Sequence, residues 1–176
     1  MKFLHLADLH LGKVVLETPM LENQRTVLKA AVDAAVNHHV DAVVMAGDIY
    51  DRSVPPAEAV CVLDDFISDL NKHGIAVLAV SGNHDSPERL EFGSRLFSDR
   101  CVHIAGYYSG TLRKVTFQDD YGQVHFHLLP FIKPAMVRSA FGEEISGTEE
   151  AVRAALRDFR SEERRVGKEC RSRWSP

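Results

Sequence analysis

Cysteine is scarce in this chain of 176 residues. Cys61, Cys101 and Cys170 are an odd number, widely spaced and without a CxxC pair, which excludes a disulfide-stapled scaffold and points to a reducing compartment. No apolar run approaches the roughly 20 residues that cross a bilayer. Met1-Lys2-Phe3-Leu4-His5-Leu6-Ala7-Asp8 meets a carboxylate too early for a signal peptide. A cytoplasmic protein without a membrane partner is therefore expected. Positive charge is also in short supply: the formal net charge is -4 with His neutral, so any polyanion would have to be met by a local basic rim, not an overall basic field. No repeat or low-complexity tract is visible. What remains, 45% hydrophobic and 26% charged residues, is the composition of a globular chain long enough for one domain with a true core.

Apolar residues fall into short strand-like runs separated by helical patterns. Phe3 to Ala7 is the first run, followed by a loop containing Gly12 and Pro19. Leu28, Ala31, Val32, Ala35 and Val36 recur at helical spacing between about Asn23 and His39. Asp41 to Ala46 is a second buried-type strand, closed by Gly47. Val60, Leu63, Phe66, Ile67 and Leu70 mark a helix after Pro55-Pro56 that stops near His73-Gly74. Ile75 to Val80 is a third strand, closed by Ser81-Gly82, and a shorter helix is expected over Pro87 to Phe97. This strand–helix–strand–helix–strand order implies a parallel sheet with crossover helices, an α/β fold. Further on, Thr111 to Phe117 and Gln123 to Leu129 flank Asp119-Asp120-Tyr121-Gly122 as an antiparallel hairpin. Ser146-Gly147-Thr148-Glu149 reads as a capping box, with Val152, Ala155, Leu156 and Phe159 as one helical face behind it. From about Arg160 to Pro176 the chain is Arg-dense, lacks apolar periodicity and holds Trp174; a disordered basic tail or appended non-native sequence is expected there, with a nucleic-acid arm as the less favoured reading.

Each of the three strands is followed at once by an acidic or His cluster. Asp8-Leu9-His10 follows the first, Gly47-Asp48 with Asp51-Arg52 the second, and Gly82-Asn83-His84-Asp85 the third. In a parallel sheet the carboxyl ends of the strands share one edge, where ligands bind, so residues far apart in sequence converge. Asp-x-His or Gly-Asp alone is more often a polar turn, while Gly-Asn-His-Asp after a buried strand is more specific; three in succession, each at a strand end, point to a site. Asp and Asn offer hard oxygens and His a borderline nitrogen, with no thiolate nearby, a donor set suited to Mn²⁺, Fe²⁺ or Zn²⁺ more than to Ca²⁺. A carboxylate such as Asp48 can bridge two cations, and metals about 3.5–4 Å apart generate hydroxide and clamp both oxygens exchanged at a phosphate ester.

These motifs resemble those of the calcineurin-like metallophosphoesterases, and the runs around Asp8, Asp51-Arg52-Ser53-Val54-Pro55-Pro56 and Ser81 to Ser86 are most similar to the SbcD-type nuclease subunits within them. The resemblance covers about residues 1–159. It implies a β-sandwich flanked by helices, two divalent metals (Mn²⁺ by preference), hydrolysis of DNA phosphodiester bonds, an SbcC-type ATPase partner and a possible homodimer through the Leu90–Phe97 region. By the same resemblance Asp8 and His10 hold the first metal, Asp48 bridges, Asn83 holds the second, and His84 faces the scissile phosphate without being a ligand. Asp85 could orient that His or be a solvated loop carboxylate. Asp51 and Arg52 are supporting candidates, and Lys13 and Arg89, like Arg52, are candidates for phosphate contact, with a solvated charge the equally good alternative for each.

The departure from the family lies in what is missing: its further metal-binding His and its Gly-His-x-His motif do not appear. The expectation is a domain whose second half is truncated, leaving three of four ligands on one metal and two on the other, and a chain inactive alone. His125-Phe126-His127 does not replace the missing pair, because alternation puts both His on one face of a hairpin strand, opposite Val124, Phe126 and Leu128. His103 and His38-His39 are read as structural. Competing readings are another phosphoesterase of the superfamily, a phosphatase or cyclic-nucleotide phosphodiesterase, or a non-catalytic fragment.

Overall fold

A computed structural model describes residues 1–142 and 145–157; Phe159 and the expected tail from 160 to 176 lie outside them. In chain order the elements are β1 (Phe3–Leu6), a small hairpin of β2 (Val14–Val15) and β3 (Thr18–Pro19), α1 (Leu21–Asn37), β4 (Ala42–Ala46), α2 (Ala57–Lys72), β5 (Ala76–Val80), α3 (Pro87–Glu91), α4 (Ser94–Phe97), a 3-10 turn at Ser98–Arg100, β6 (Val102–Ala105), β7 (Arg113–Asp119), β8 (Gly122–Leu128), α5 (Pro134–Phe141) and α6 (Thr148–Ala155). The chain divides into two compact units, residues 1–107 with 114–131, and residues 108–113 with the stretch from 132 onward.

The first unit is built on a sheet of order β1-β4-β5-β6, parallel throughout. Alternation along its strands sorts side chains to two faces. Val43, Met45, Val77, Ala79, Val102 and Ile104 pack with Leu28, Val32 and Ala35 of α1 and Val62, Phe66 and Leu70 of α2. The intervening residues Val44, Leu78 and Val80 face the other way, against Val115, Phe117, Phe126 and Leu128 of the β7–β8 hairpin. Both faces of the central strands are thus covered, which is why their sequences run apolar without a polar alternate. Fully buried Val43, Val62, Leu70, Val77 and Leu78 each contribute about 1.5–3 kcal/mol of burial. Phe126 meets Phe3 and Phe117 edge-on at 5.6 and 5.7 Å; His125, on the opposite side of β8, is exposed and touches Thr116.

The strand registers decide where the loops emerge. Leu6 pairs with Met45, Ala46 with Val80, and Val80 with Ala105, so the carboxyl ends of β1, β4 and β5 open on one edge.

Several local expectations change. The fourth parallel strand, β6, was not anticipated. The helix expected over Pro87 to Phe97 is two short pieces, because Gly93 takes a left-handed φ of 76° and the Phe97 ring packs where a side chain at Gly93 would lie. Leu90 is buried, while Phe92, Leu96 and Phe97 are exposed. In the second unit, the N-cap of α6 is Gly147, without a side-chain cap. The Ser146 amide and hydroxyl instead meet the Glu150 carboxylate at 3.2 Å, one residue beyond the Glu149 of the expected capping box. The buried face of α6 is Ala151, Ala154 and Ala155, with Val152 and Leu156 only half-buried. Arg138 of α5 donates to the Ile145 carbonyl at 2.9 Å, and Tyr108 is buried with its hydroxyl on the Gly110 carbonyl at 3.1 Å. No helix among the described residues is long and apolar enough to cross a membrane.

Candidate metal centre

The loops that leave β1 and β4 turn through left-handed backbone. Asp8, His10 and Asp48 have φ of 55°, 44° and 48°, and Gly47 has 88°. Such a conformation is unfavourable for residues with a Cβ, by roughly 1–3 kcal/mol when imposed at a site. Here the two loops hold each other in it. The Asp8 amide donates to the Gly47 carbonyl (3.2 Å), His10 to Asp48 (2.9 Å), Leu11 to Ile49 (2.9 Å), and Asp51 back to Leu11 (3.1 Å). The pairing continues β1 and β4 beyond their regular ends and sets the side chains of Asp8, His10 and Asp48 at the sheet edge.

His10 is the hub. Its Nε2 lies 3.9 Å from Asp8 Oδ1 and 3.8 Å from Asp48 Oδ2, and its Nδ1 lies 3.5 Å from Asp51 Oδ1. The third loop adds His84, whose ring stands edge-on to that of His10 at 4.8 Å. The His84 amide donates to Asp48 Oδ1 (3.0 Å) and its Nδ1 meets the Asp51 carbonyl oxygen (2.9 Å). A carbonyl only accepts, so Nδ1 carries the proton there and the Nε2 lone pair is left for a ligand. Asp51 therefore touches both imidazoles, one through its carboxylate and one through its backbone. Ligand atoms of His10, Asp48 and His84 all fall within 4.8 Å of one another.

Asp85 takes neither of the roles expected of it. It is buried, and its carboxylate accepts from the backbone amides of Ile49 (3.1 Å), Tyr50 (2.8 Å) and Gly82 (2.8 Å). It braces the β5 loop to the β4 loop, and the atom that fixes the His84 ring belongs to Asp51. Burial pushes the neighbouring Tyr50 phenol up to about 12, with the Asp85 charge adding to the effect. Gly82 lies hard against Asp48: a Cβ there would fall 2.0 Å from Asp48 Oδ1 and 2.2 Å from its backbone nitrogen. Asn83, Lys13, Arg52 and Arg89 lie at or near the surface; Arg52 reaches Asp51 at 4.0 Å, while Asn83 sits beside His84 in the same turn.

One contributor escaped the sequence reading. The side-chain amide of Gln24, in the first turn of α1, donates to the Leu9 (2.9 Å) and His10 (2.8 Å) carbonyls and accepts from the Gly12 amide (3.0 Å). A lone Gln in a helix's first turn carries no signal that separates it from a solvated one.

The donor set suits a divalent cation. His10 Nδ1 is buried without a hydrogen-bond partner, and the gaps of 3.8 and 3.9 Å from its Nε2 to two carboxylates are too long for hydrogen bonds. Two ligands each about 2.0–2.2 Å from one ion lie roughly 3–4 Å apart, which is the spacing seen. Residues 1–153, most of the chain, match the family described as calcineurin-like phosphoesterase. The chain belongs to the calcineurin-like phosphoesterase family. It is 36% identical over 132 residues to a protein named as the D component of nuclease SbcCD from Staphylococcus saprophyticus, and 32% identical over 163 residues to one of the same name from Staphylococcus epidermidis. Those alignments cover 74% and 92% of this chain but 34% and 42% of the relatives, so the chain spans well under half the length of the curated relatives it matches. This member of the calcineurin-like phosphoesterases brings His10, Asp48 and His84 together at one sheet edge.

Proposed function

We propose that the chain provides the metal-binding face of an SbcD-type nuclease subunit, hydrolysing DNA phosphodiester bonds with two divalent cations, Mn²⁺ by preference, and working with an SbcC-type ATPase. The observation that carries this reading is the convergence of His10, Asp48 and His84 within 4.8 Å, with Asp8 in reach of His10. The likeness to two proteins named as parts of a nuclease supports a nucleic acid, for which we take DNA, among phosphoesters. Asp8 and His10 would hold one cation, Asp48 would lie between the two, and Asn83 would hold the other. When bound, the pair supplies a hydroxide near neutral pH and positive charge for the phosphate oxygens. The protein's own part is positional. The His84 amide fixes one oxygen of Asp48 and leaves the other toward His10. The Asp51 carbonyl holds the His84 Nδ1–H, so that a proton carried on Nε2 would pass to the leaving oxygen as its bond to phosphorus breaks. Lys13, Arg52 and Arg89 are cations near these loops and suit a phosphate backbone. The proposed setting is residues 1–159 as part of a sandwich-type phosphoesterase domain, with the β7–β8 hairpin the start of its second sheet.

The test is Mn²⁺-dependent release of nucleotides from duplex DNA by the full-length protein, compared with turnover of a small phosphomonoester. Preference for the monoester would replace the nuclease reading with a phosphatase one. A second reading of His84 as a ligand is favoured by its place in the three-residue cluster. His84→Gln separates the two: lost turnover with intact Mn²⁺ affinity marks the phosphate-facing role, and lost affinity marks a ligand.

A further inference from the structure

We infer that Gln24 is a positioning residue for the metal centre, setting the backbone of the loop that carries Asp8 and His10. The inference rests on the proposed reading of that centre. The loop is the strained part of the site, left-handed at His10 (φ 44°) and again at Gly12 (φ 87°). A segment turning this way points carbonyls away from both sheet and helix, and two of them, that of Leu9 and that of His10, which also accepts from the Lys13 amide at 3.1 Å, are directed at one nitrogen. Gln24 Nε2 donates to both, at 2.9 and 2.8 Å, while its Oε1 accepts the Gly12 amide at 3.0 Å. One planar amide thereby uses two donors and an acceptor on three of four consecutive residues. No other side-chain type of this length offers that combination: Glu lacks the donors and Lys the acceptor. Gln24 is rigidly placed in turn, because α1 is sunk into the core through Leu28, Val32 and Ala35.

The consequence falls on the His10 ring. Its Nε2 faces Asp8 and Asp48 and its Nδ1 faces Asp51 only while its Cα holds the left-handed conformation. Released from Gln24, the loop is held from the β4 side alone, its outer half from Leu9 to Gly12 loses its anchor to α1, and the ring loses its fixed aim, so the ligand set loosens without any ligand being changed.

The experiment compares the full chain with Gln24→Ala and Gln24→Glu by Mn²⁺ titration calorimetry and by the melting temperature with and without Mn²⁺. Both variants are expected to bind Mn²⁺ roughly 10–100-fold more weakly, as losses of outer contacts at metal sites do. Gln24→Glu is expected to do no better than Gln24→Ala, although it keeps an acceptor for Gly12. Variants whose metal-free melting point drops while Mn²⁺ affinity stays within about 2-fold of wild type would show Gln24 to be merely structural. Wild-type protein that binds no Mn²⁺ overturns the metal centre itself, a distinct failure. Should neither variant fold, the side-chain amide resonances of Gln24 in the wild-type protein carry the test. They are expected to shift on Zn²⁺ addition, and resonances that stay fixed while Zn²⁺ binds overturn the inference.

Discussion

Replacing Gly82 by Ala perturbs the centre without touching a ligand. Gly82 does not need its freedom of φ; it needs its missing Cβ. That atom would stand 2.0 Å from Asp48 Oδ1, 2.7 Å from its Cγ and 2.2 Å from its backbone nitrogen, so Asp48 must withdraw by about 1.4 Å to reach ordinary contact, a displacement that overpacked sites resist at about 1–3 kcal/mol or more. Withdrawal also breaks the bond from the His84 amide to Asp48, a hydrogen bond to a charged acceptor worth about 1.5–3 kcal/mol. Together these remove roughly 3–6 kcal/mol, a large share of the stability of an ordinary domain. The melting temperature should fall by roughly 6–24 °C, at about 2–4 °C per kcal/mol for a chain of this size. Mn²⁺ affinity should fall with it, because the moved carboxylate no longer faces His10. Scanning calorimetry and Mn²⁺ titration read the two effects separately. In an Asp48→Ala background the clash with Oδ1 and Cγ vanishes but that with the backbone nitrogen stays, so the penalty of Gly82→Ala should shrink without disappearing. A Gly82→Ala protein with wild-type melting point and wild-type affinity would refute the packing argument.

Three further outcomes follow from the same geometry. Mn²⁺ at about 100 times its Kd should stabilise the wild-type chain by about 2.7 kcal/mol, raising the melting point by roughly 5–10 °C; EDTA should reverse the shift, and His10→Ala should abolish it in the same thermal scan. Asp85→Ala strips the acceptor from three backbone amides and should cost at least about 3 kcal/mol in urea denaturation, with Asp85→Asn, which keeps one carbonyl oxygen, between it and wild type. Tyr50 has a folded pKa raised from 10.0 to about 12, so between those values the folded chain keeps a proton that the unfolded chain has lost; stability present below pH 10 should decline as pH rises to 12, by roughly 2–3 kcal/mol, and Tyr50→Phe should flatten that part of the denaturation profile.

The sheet edge was readable because its signals are steep. Val43 and Val44 give way to Gly47-Asp48 within a few residues, and Val77 to Val80 to Ser81-Gly82-Asn83-His84, so strand ends and polar clusters coincide and parallel order does the rest. β6 was missed for the opposite reason. It is four residues, Val102–Ala105, with His103 in the middle; only its register against β5 sends Val102 and Ile104 into the helix-side core. Asp85 was legible as important and misjudged in kind. From sequence, an Asp after a His suggests a partner for the ring, whereas the turn places its carboxylate against three amides of two loops. The cap of α6 slipped by one residue because Gly147 costs only a few tenths of a kcal/mol as an N-cap relative to Ser, and Glu150 reaches back to Ser146 in place of Glu149. Gln24 could not have been singled out at all, since its partners are backbone carbonyls whose direction depends on left-handed turns that sequence patterns do not encode.

The arrangement of charge gives these local facts a common cause. Asp8, Asp48 and Asp51 all present oxygens to one imidazole, at 3.9, 3.8 and 3.5 Å, and Arg52, a cation beside Asp51, stands 4.0 Å off and largely in solvent. Carboxylates gathered around one ring repel one another, weakly in water and by several times more at a sheet edge of lower effective dielectric. Left-handed backbone at Asp8, His10 and Asp48 adds its own penalty. Left to local preference, these loops would spread apart. They are kept together by the paired amides of the first two loops, the Asp85 brace, the Gly82 contact and a core closed on both faces of the sheet. A divalent cation reverses the sign of the electrostatic part, turning mutual repulsion into shared attraction. Repulsion and strain held in place by surrounding packing are what the proposed cation site calls for; a turn that served folding alone would have no need of three carboxylates around one imidazole.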